Sequence, residues 1–196
     1  MGIVVLSKGQ RIVFDEDVKT YLIGLGRKLN HIPGNDYVDV DTFVFLLGAN
    51  GQVRTDGDFL YYCNIADPSM AVQLAGLDPP IGERGRDDDR VFIDFSKIPS
   101  DVAKVLIAVI FSENDFNKSF VRQFYDYVRI LKACEGEAEP FKEIACCDLD
   151  FQVSEEKVMV VCEIERSGKE WSFVALGKGY ACEVSDLCKK YGINVD

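Results

Sequence analysis

Aspartate and glutamate are the residues whose number and spacing point most directly to chemistry. Asp39 and Asp41 form an Asp-x-Asp pair before an apolar segment, and Asp58 follows in the next turn. Residues two apart share one face of a strand, so Asp39 and Asp41 are expected to point the same way. A second group stands in a long charged segment: Asp78, Glu83, Asp87, Asp88 and Asp89. Such clusters suit calcium, which accepts about 6–8 oxygen ligands in flexible geometry.

The same acids have a second interpretation that involves no metal. Three adjacent aspartates repel one another unless a cation or basic groups neutralise them. Arg84, Arg86 and Arg90 stand beside them and offer that neutralisation by ion pairing. The spacing excludes an EF-hand, because Phe43 occupies the next ligand position after Asp41 and no glycine follows. The residues alone therefore leave calcium binding and solvated ion pairs both open.

Other site chemistries have little support. The single histidine, His31, has no cysteine that the spacing assigns to it as a catalytic partner. Cys146 and Cys147 are adjacent, which is not the Cys-x-x-Cys spacing of a zinc site. The segment from Gly24 to Gly26 lacks the third glycine of a dinucleotide fingerprint. We therefore predict that the chain is not an enzyme.

Composition limits the classes of binding partner and the cellular compartment that we expect for this chain. The 196 residues include 22 Lys+Arg and 33 Asp+Glu, so the net charge is −11. This acidic surface repels nucleic acid and anionic lipid, and suits hard cations or basic partners. Seven cysteines, an odd number in irregular spacing, indicate reduced thiols in a cytoplasmic protein. No apolar run approaches the roughly 18 residues that span a bilayer.

The elements that must position the acids are mostly strands. Residues 38–47, 58–63, 90–95, 104–111 and 125–131 have the composition of strands, and 157–165 with 170–176 have that of a hairpin turning at Gly168. Residues 182–191 place apolar side chains on one helical face, and Gly192 ends that helix. Residues 67–89 are rich in proline, glycine and charge, which predicts a long loop. Many short strands favour an all-β, two-sheet β-sandwich with a short C-terminal helix, as one domain over 1–196.

Several motifs resemble the TerD family of tellurium-resistance proteins. They are spread in order from about residue 3 to residue 195, nearly without gaps. The residues that carry the likeness are Val5–Gly9, Gly24–Gly26, Val38–Asp41, Val44–Leu47, Asn50–Val53, Asp58–Phe59, Glu170–Ala181 and Lys190–Val195.

The resemblance implies a β-sandwich that binds one or two calcium ions at one end, in a bacterial stress response without enzymatic activity. It also implies unknown protein partners, including other Ter-type proteins. Carried over by position, the implied metal ligands are Asp39, Asp41, Asp58, Asp78, Glu83, Asp87, Asp88, Asp89 and Glu113.

Departures from the family pattern keep two alternatives open. Arg84-Gly85-Arg86 stands where the family has glycine-aspartate-glycine, so an acid is replaced and two cations are added. Repulsion from these cations would weaken a calcium site. The chain would then be a metal-independent interaction module with a decayed site. The second alternative is oxidant or tellurite handling by thiols, for which Cys63 and Cys182 are the best placed.

Overall fold

The fold is a sandwich of two sheets, as predicted, and each sheet has six strands among the described residues. The computed structural model describes residues 2–26, 40–76, 87–111, 127–149 and 157–195. The first sheet has the strand order β1-β10-β9-β3-β7-β6 and the second β2-β12-β11-β8-β4-β5. The first sheet comprises β1 Val4–Leu6, β3 Thr20–Gly26, β6 Val72–Gly76, β7 Asp87–Asp94, β9 Tyr127–Ala133 and β10 Phe141–Asp148. The second comprises β2 Arg11–Val13, β4 Val40–Gly48, β5 Phe59–Leu60, β8 Val102–Phe111, β11 Val158–Ser167 and β12 Glu170–Tyr180.

Strand β8 shows why an uninterrupted apolar run forms a strand here. Its residues Val105, Ile107 and Val109 belong to the core between the two sheets. The alternate residues belong to a second apolar cluster on the outer face of the second sheet, together with Leu187 and Tyr191. Leu187 lies in the only α-helix of the described residues, α1 Val184–Lys190, and Gly192 follows it with φ +89°. Both faces of β8 are therefore buried, as the composition predicts.

The long loop predicted over residues 67–89 is wrong at both of its ends. Strand β6 lies inside that range. Strand β7 begins at Asp87, three residues before Arg90, where the sequence predicts the strand to start. The acidic composition hid this strand start, because the partner that neutralises Asp87 stands far away in sequence. The strand predicted over 58–63 is also shorter, since a 3-10 helix over Asp56–Asp58 precedes the two residues of β5.

Several strands of both sheets end or begin at the same end of the sandwich. In the first sheet Gly26 lies opposite both Asp87 and Tyr127. In the second sheet Val40 lies opposite Phe111. Because Asp41 and Asp87–Asp89 are found here, we call this the acidic end, and the end where Gly48 opposes Val102 the opposite end.

Candidate functional site

Strand β7 begins with three aspartates around a β-bulge. Leu25 of β3 pairs with Asp89 and the next residue, Gly26, pairs with Asp87, so Asp88 has no opposing residue on β3. A bulge of this kind breaks the alternation of side chains and turns one of them in a new direction. The bulge therefore directs the three consecutive carboxylates toward different neighbours.

Asp87 is buried in an ion cluster on the outer face of the first sheet. Its carboxylate accepts hydrogen bonds from Arg129 Nε at 2.8 Å and Nη2 at 2.7 Å, the two-pronged geometry that guanidinium favours. Arg90 Nε donates to it at 3.3 Å, and the Tyr127 hydroxyl at 3.3 Å. Asp87 and Arg129 are each 1% exposed. Such a pair resists separation, because each charge would be left without solvent.

The pKa values of this cluster follow from burial and charge. Burial lowers the pKa of Arg129, but hydrogen bonding to Asp87, together with the negative charges of Asp87 and Glu143, raises it above its ordinary value. Burial and then the charge of Asp87 raise the pKa of Tyr127. Arg129 therefore stays protonated, and Tyr127 stays a neutral hydroxyl that can donate.

Gly24 makes room for this cluster. A Cβ atom at Gly24 would stand 2.7 Å from three atoms of the Asp87 carboxylate. Real Cβ atoms do not approach so closely, and Asp87 cannot retreat without losing Arg129. A glycine at this point of β3 is thus required by the ion cluster rather than by a turn.

Asp89 joins the two sheets at the acidic end. Its Oδ2 accepts a hydrogen bond of 2.6 Å from Thr42 Oγ1 in β4. Asp41 is the neighbour of Thr42, and Asp41, Asp88 and Asp89 are all half-buried. The structure therefore gathers three predicted ligands, Asp41, Asp88 and Asp89, at the same end.

Asp58 is separated from that group. Phe59 pairs with Phe45, which places Asp58 about five residues, or roughly 17 Å, along β4 from Asp41. Its carboxylate accepts hydrogen bonds from Arg54 Nε and Nη2, both at 2.8 Å, and it is fully buried. Arg54 also pairs with Asp101 at 2.5 Å. Asp58 thus belongs to the opposite end.

The remaining predicted ligands lie outside the described residues. These are Asp39, Asp78, Glu83 and Glu113, and Arg84 and Arg86 lie there too. Within the described part of the chain, no three acidic, cysteine or histidine side chains come together as a metal-binding group. The described acids alone therefore do not form a complete calcium site.

The cysteines are all free thiols, and four of the seven are buried. Cys146, Cys147, Cys162 and Cys188 are buried, and Cys63 is exposed. Burial raises the pKa of Cys147, Cys162, Cys182 and Cys188. A higher pKa lowers the thiolate fraction and with it the reactivity. This disfavours Cys182 as a reactive thiol and leaves Cys63 as the accessible one.

A polar groove of about 520 Å³ lies on the second sheet beside the C-terminal residues. Lys104 Nζ pairs with Glu163 at 2.7 Å and with Glu165 at 3.3 Å. Arg11 Nη2 also pairs with Glu165, at 2.6 Å. Burial raises the pKa of Glu165, but hydrogen bonds from Arg11 and Lys104 outweigh it and leave the pKa below its ordinary value. An ion-pair network that joins residues of β2, β8 and β11 therefore lines the groove.

Three residues of the site region were not predicted from the sequence: Arg129, Gly24 and Thr42. One signal was present for Arg129, since it is a charged residue between Val128 and Ile130 in an apolar strand. A charge in such a strand requires a buried partner of opposite sign. Nothing in the sequence identified Asp87 as that partner.

No helix among the described residues is long and apolar enough to cross a membrane.

Comparison with known proteins agrees with the fold. A solved homologue of the telluride resistance protein TerD, SCO6318 from Streptomyces coelicolor A3(2), superposes with a TM-score of 0.59. That match covers 89% of this chain and 96% of the other, at 13% sequence identity, so it shows the fold alone.

Sequence similarity extends over nearly the whole chain. The protein YceE of Bacillus subtilis (strain 168) is 34% identical over 194 residues, which are 97% of this chain and 98% of YceE. The tellurium resistance protein TerD of Serratia marcescens is 33% identical over 195 residues, with 97% and 98% covered. The TerD domain model matches residues 1–191. The chain therefore belongs to the TerD family.

Proposed function

We propose that this chain is a calcium-binding protein of a bacterial stress response, of the tellurium-resistance type. In this proposal calcium orders a loop surface at the acidic end for a partner protein, and the chain catalyses no reaction. Family membership supports the type of response, since a relative covered over nearly its whole length is a tellurium resistance protein. The observation that favours calcium is the gathering of Asp41, Asp88 and Asp89 where the two sheets are joined.

The donors at the acidic end have the chemistry that calcium requires. Carboxylate oxygens are hard ligands, and separate chain segments can each contribute one or two of them. The described residues contribute Asp41 from β4 and the bulged Asp88 from β7. The proposal requires further oxygens from Asp39, Asp78, Glu83 or Glu113, which lie outside the described residues.

Calcium titration with thermal unfolding tests this proposal. A ligand that binds only the folded state raises the melting temperature as its concentration increases. We expect millimolar calcium to raise the melting temperature relative to chelator, and isothermal titration to show saturable binding. Asp41→Asn and Asp88→Asn should each reduce both effects. Asp56→Asn, at an exposed residue of the opposite end, is the matched control. No shift in the wild-type chain would contradict the proposal.

A second candidate is a metal-independent interaction module, and one observation favours it. Two of the predicted ligands, Asp87 and Asp58, are already neutralised by arginine. If arginines also neutralise the rest of the acidic end, no calcium is needed there. Replacing Arg84 and Arg86 by glycine distinguishes the candidates. Calcium affinity should rise steeply if these arginines have displaced an ion, and should stay absent if no site remains.

A further inference from the structure

The side chains at the start of β7 do not alternate between the two faces of the first sheet in the usual way. Val91 belongs to the core between the sheets, so regular alternation would place Asp89 and Asp87 on the same inner face. Asp89 follows this pattern, since it accepts the hydrogen bond from Thr42 of the facing sheet. Asp87 does not, because it lies in the ion cluster on the outer face. The change of face therefore occurs between Asp87 and Asp89.

The β-bulge accounts for this change of face. With Leu25 opposite Asp89 and Gly26 opposite Asp87, Asp88 is an extra residue in β7. In a strand without the bulge, Gly26 would lie opposite Asp88, and Asp87 would lie beyond the end of β3. Asp88 would then take the outer-face position that Asp87 now holds. The start of β7 thus has two possible registers, which exchange the places of two adjacent aspartates.

The contacts of Asp87 hold β7 in the bulged register. Arg129 points to the outer face, because its neighbours Val128 and Ile130 belong to the core between the sheets. Its two hydrogen bonds to Asp87, at 2.7 and 2.8 Å, join two buried charges that are costly to separate. Gly24 leaves the space that the Asp87 carboxylate fills. The structure places Asp87, and not Asp88, in these contacts.

We propose that Arg129 is a positioning residue for the acidic end. By holding Asp87 on the outer face, it fixes the bulged register of β7 and keeps Asp88 outside the pairing with β3. Bulges commonly re-aim a side chain beside a functional site. Arg129 thus acts on calcium binding through the register of β7 and contacts no ion. The inference rests on the proposed function for the role of Asp88 as a calcium ligand.

Charge alone predicts the opposite effect of removing Arg129. An arginine repels a nearby calcium ion, so its loss should tighten calcium binding if only the Coulomb interaction matters. Positioning predicts weaker binding, because the unbulged register moves Asp88 from the acidic end into the sheet. Residues that orient metal ligands typically change metal affinity by about 10–100-fold when they are replaced. The direction of the change therefore distinguishes a positioning residue from a neighbouring charge.

Isothermal titration of the full chain with calcium measures this direction. We expect Arg129→Met to weaken calcium binding by about 10–100-fold. Arg54→Met is the matched control, because it removes an arginine from another buried aspartate at the opposite end, and its affinity should equal that of the wild type. Gly24→Ala displaces the Asp87 carboxylate without changing any charge, so it should also weaken binding. It replaces Arg129→Met if circular dichroism shows that variant to be unfolded.

Nuclear magnetic resonance of the chain in chelator measures the register itself. In the wild type, the cross-strand contact of Gly26 should be with Asp87. In Arg129→Met or Gly24→Ala, a contact between Gly26 and Asp88 should appear as the unbulged register becomes populated. Arg54→Met should keep the contacts of the wild type. This measurement needs no bound calcium, so it tests the positioning role separately from the proposed function.

Three results overturn the inference and leave the proposed function standing. They are unchanged or tighter calcium binding in Arg129→Met, an equal loss in Arg54→Met, and weaker binding with an unaltered contact between Gly26 and Asp87. A wild-type chain that binds no calcium overturns the proposed function instead. In that case the resonance measurement decides, because a register that survives the loss of Arg129 shows that this residue does not position β7.

Discussion

Asp87 and Asp58 are both buried, both paired with arginine, and differ in how far away the arginine is. Asp58 pairs with Arg54 four residues earlier, through a 3-10 turn that also lets the Arg54 backbone donate to it at 3.2 Å. Asp87 pairs with Arg129 from a different strand, 42 residues away. The first pair forms as soon as its turn does, whereas the second exists only once the first sheet is assembled. Similar local chemistry thus depends on local structure at one end and on tertiary structure at the other.

The pairs also differ in access to water. Arg129 is 1% exposed as a side chain, whereas Arg54 is 23% exposed. Water can partly solvate the groups at the opposite end if an ion pair is lost, and it cannot do so in the Asp87 cluster. The same substitution should therefore cost more at the acidic end.

Removing Arg129 should have the largest effect. Arg129→Met leaves Asp87 buried with Arg90 as its remaining guanidinium partner, and we expect a loss of about 3–5 kcal/mol in the free energy of unfolding. Urea denaturation measures this loss. Adding Asp87→Asn to Arg129→Met should recover part of it, because the buried Asp87 carboxylate is then no longer charged, although Arg90 and Glu143 each lose one ion-pair partner. A loss below about 1 kcal/mol, typical of surface pairs, would show that the cluster contributes little.

Removing Arg54 should cost less and leave calcium binding unchanged. Arg54→Met deletes charged hydrogen bonds to Asp58, for which we expect a loss of about 2–3 kcal/mol by urea denaturation. The calcium-dependent shift in melting temperature should stay that of the wild type, because Asp58 lies at the opposite end. A cost equal to that of Arg129→Met, or a loss of calcium binding, would break the comparison between the two ends.

Filling the space at Gly24 should disturb only the acidic end. Gly24→Ala places a Cβ atom against the Asp87 carboxylate, and we expect a loss of about 1–3 kcal/mol from overpacking. Thermal and urea unfolding measure it. Gly2→Ala is the matched control, since nothing lies within 4 Å of a Cβ built there. Equal stability of Gly24→Ala and wild type would mean that Asp87 moves freely.

A substitution in the polar groove should change stability least. It serves as a reference for the two buried pairs, Asp87–Arg129 and Asp58–Arg54. The pKa of Glu165 is lowered in the folded state, so its pairing stabilises the fold above the unfolded pKa of about 4.3. That contribution is lost as the pH falls through the lower folded pKa. Glu165→Gln should reduce the acid dependence of unfolding by less than about 1 kcal/mol. A larger change in the urea midpoint between neutral and acidic pH would contradict this ranking.

The strands and the helix were largely predictable because their signals are local. Strand β8 was evident from its continuous apolar run, and the β11–β12 hairpin from the turn at Gly168, whose φ is +63°. The start of β7 was not predictable. Its three aspartates have the composition of a loop, and only pairing with Arg129 makes Asp87 acceptable inside a sheet.

Prediction of the site residues likewise succeeded in part, where local sequence was sufficient. The sequence predicted Asp41, Asp88 and Asp89 as members of one acidic group, and the structure gathers them at one end. It also placed Asp58 in that group, because Asp58 stands at a position where the family resemblance implies a ligand. Strand β5 runs antiparallel to β4, so the residue that precedes it is carried to the opposite end.

Sequence alone therefore determined the family, the two-sheet architecture and the acidic character, because these follow from local periodicity, residue order and charge. Tertiary structure alone decided which carboxylates are neutralised by arginine and which remain together at the acidic end. An ion pair such as Asp87–Arg129 forms between residues that no spacing rule connects. Its partners meet only when β3, β7 and β9 lie side by side and exclude water from both charges.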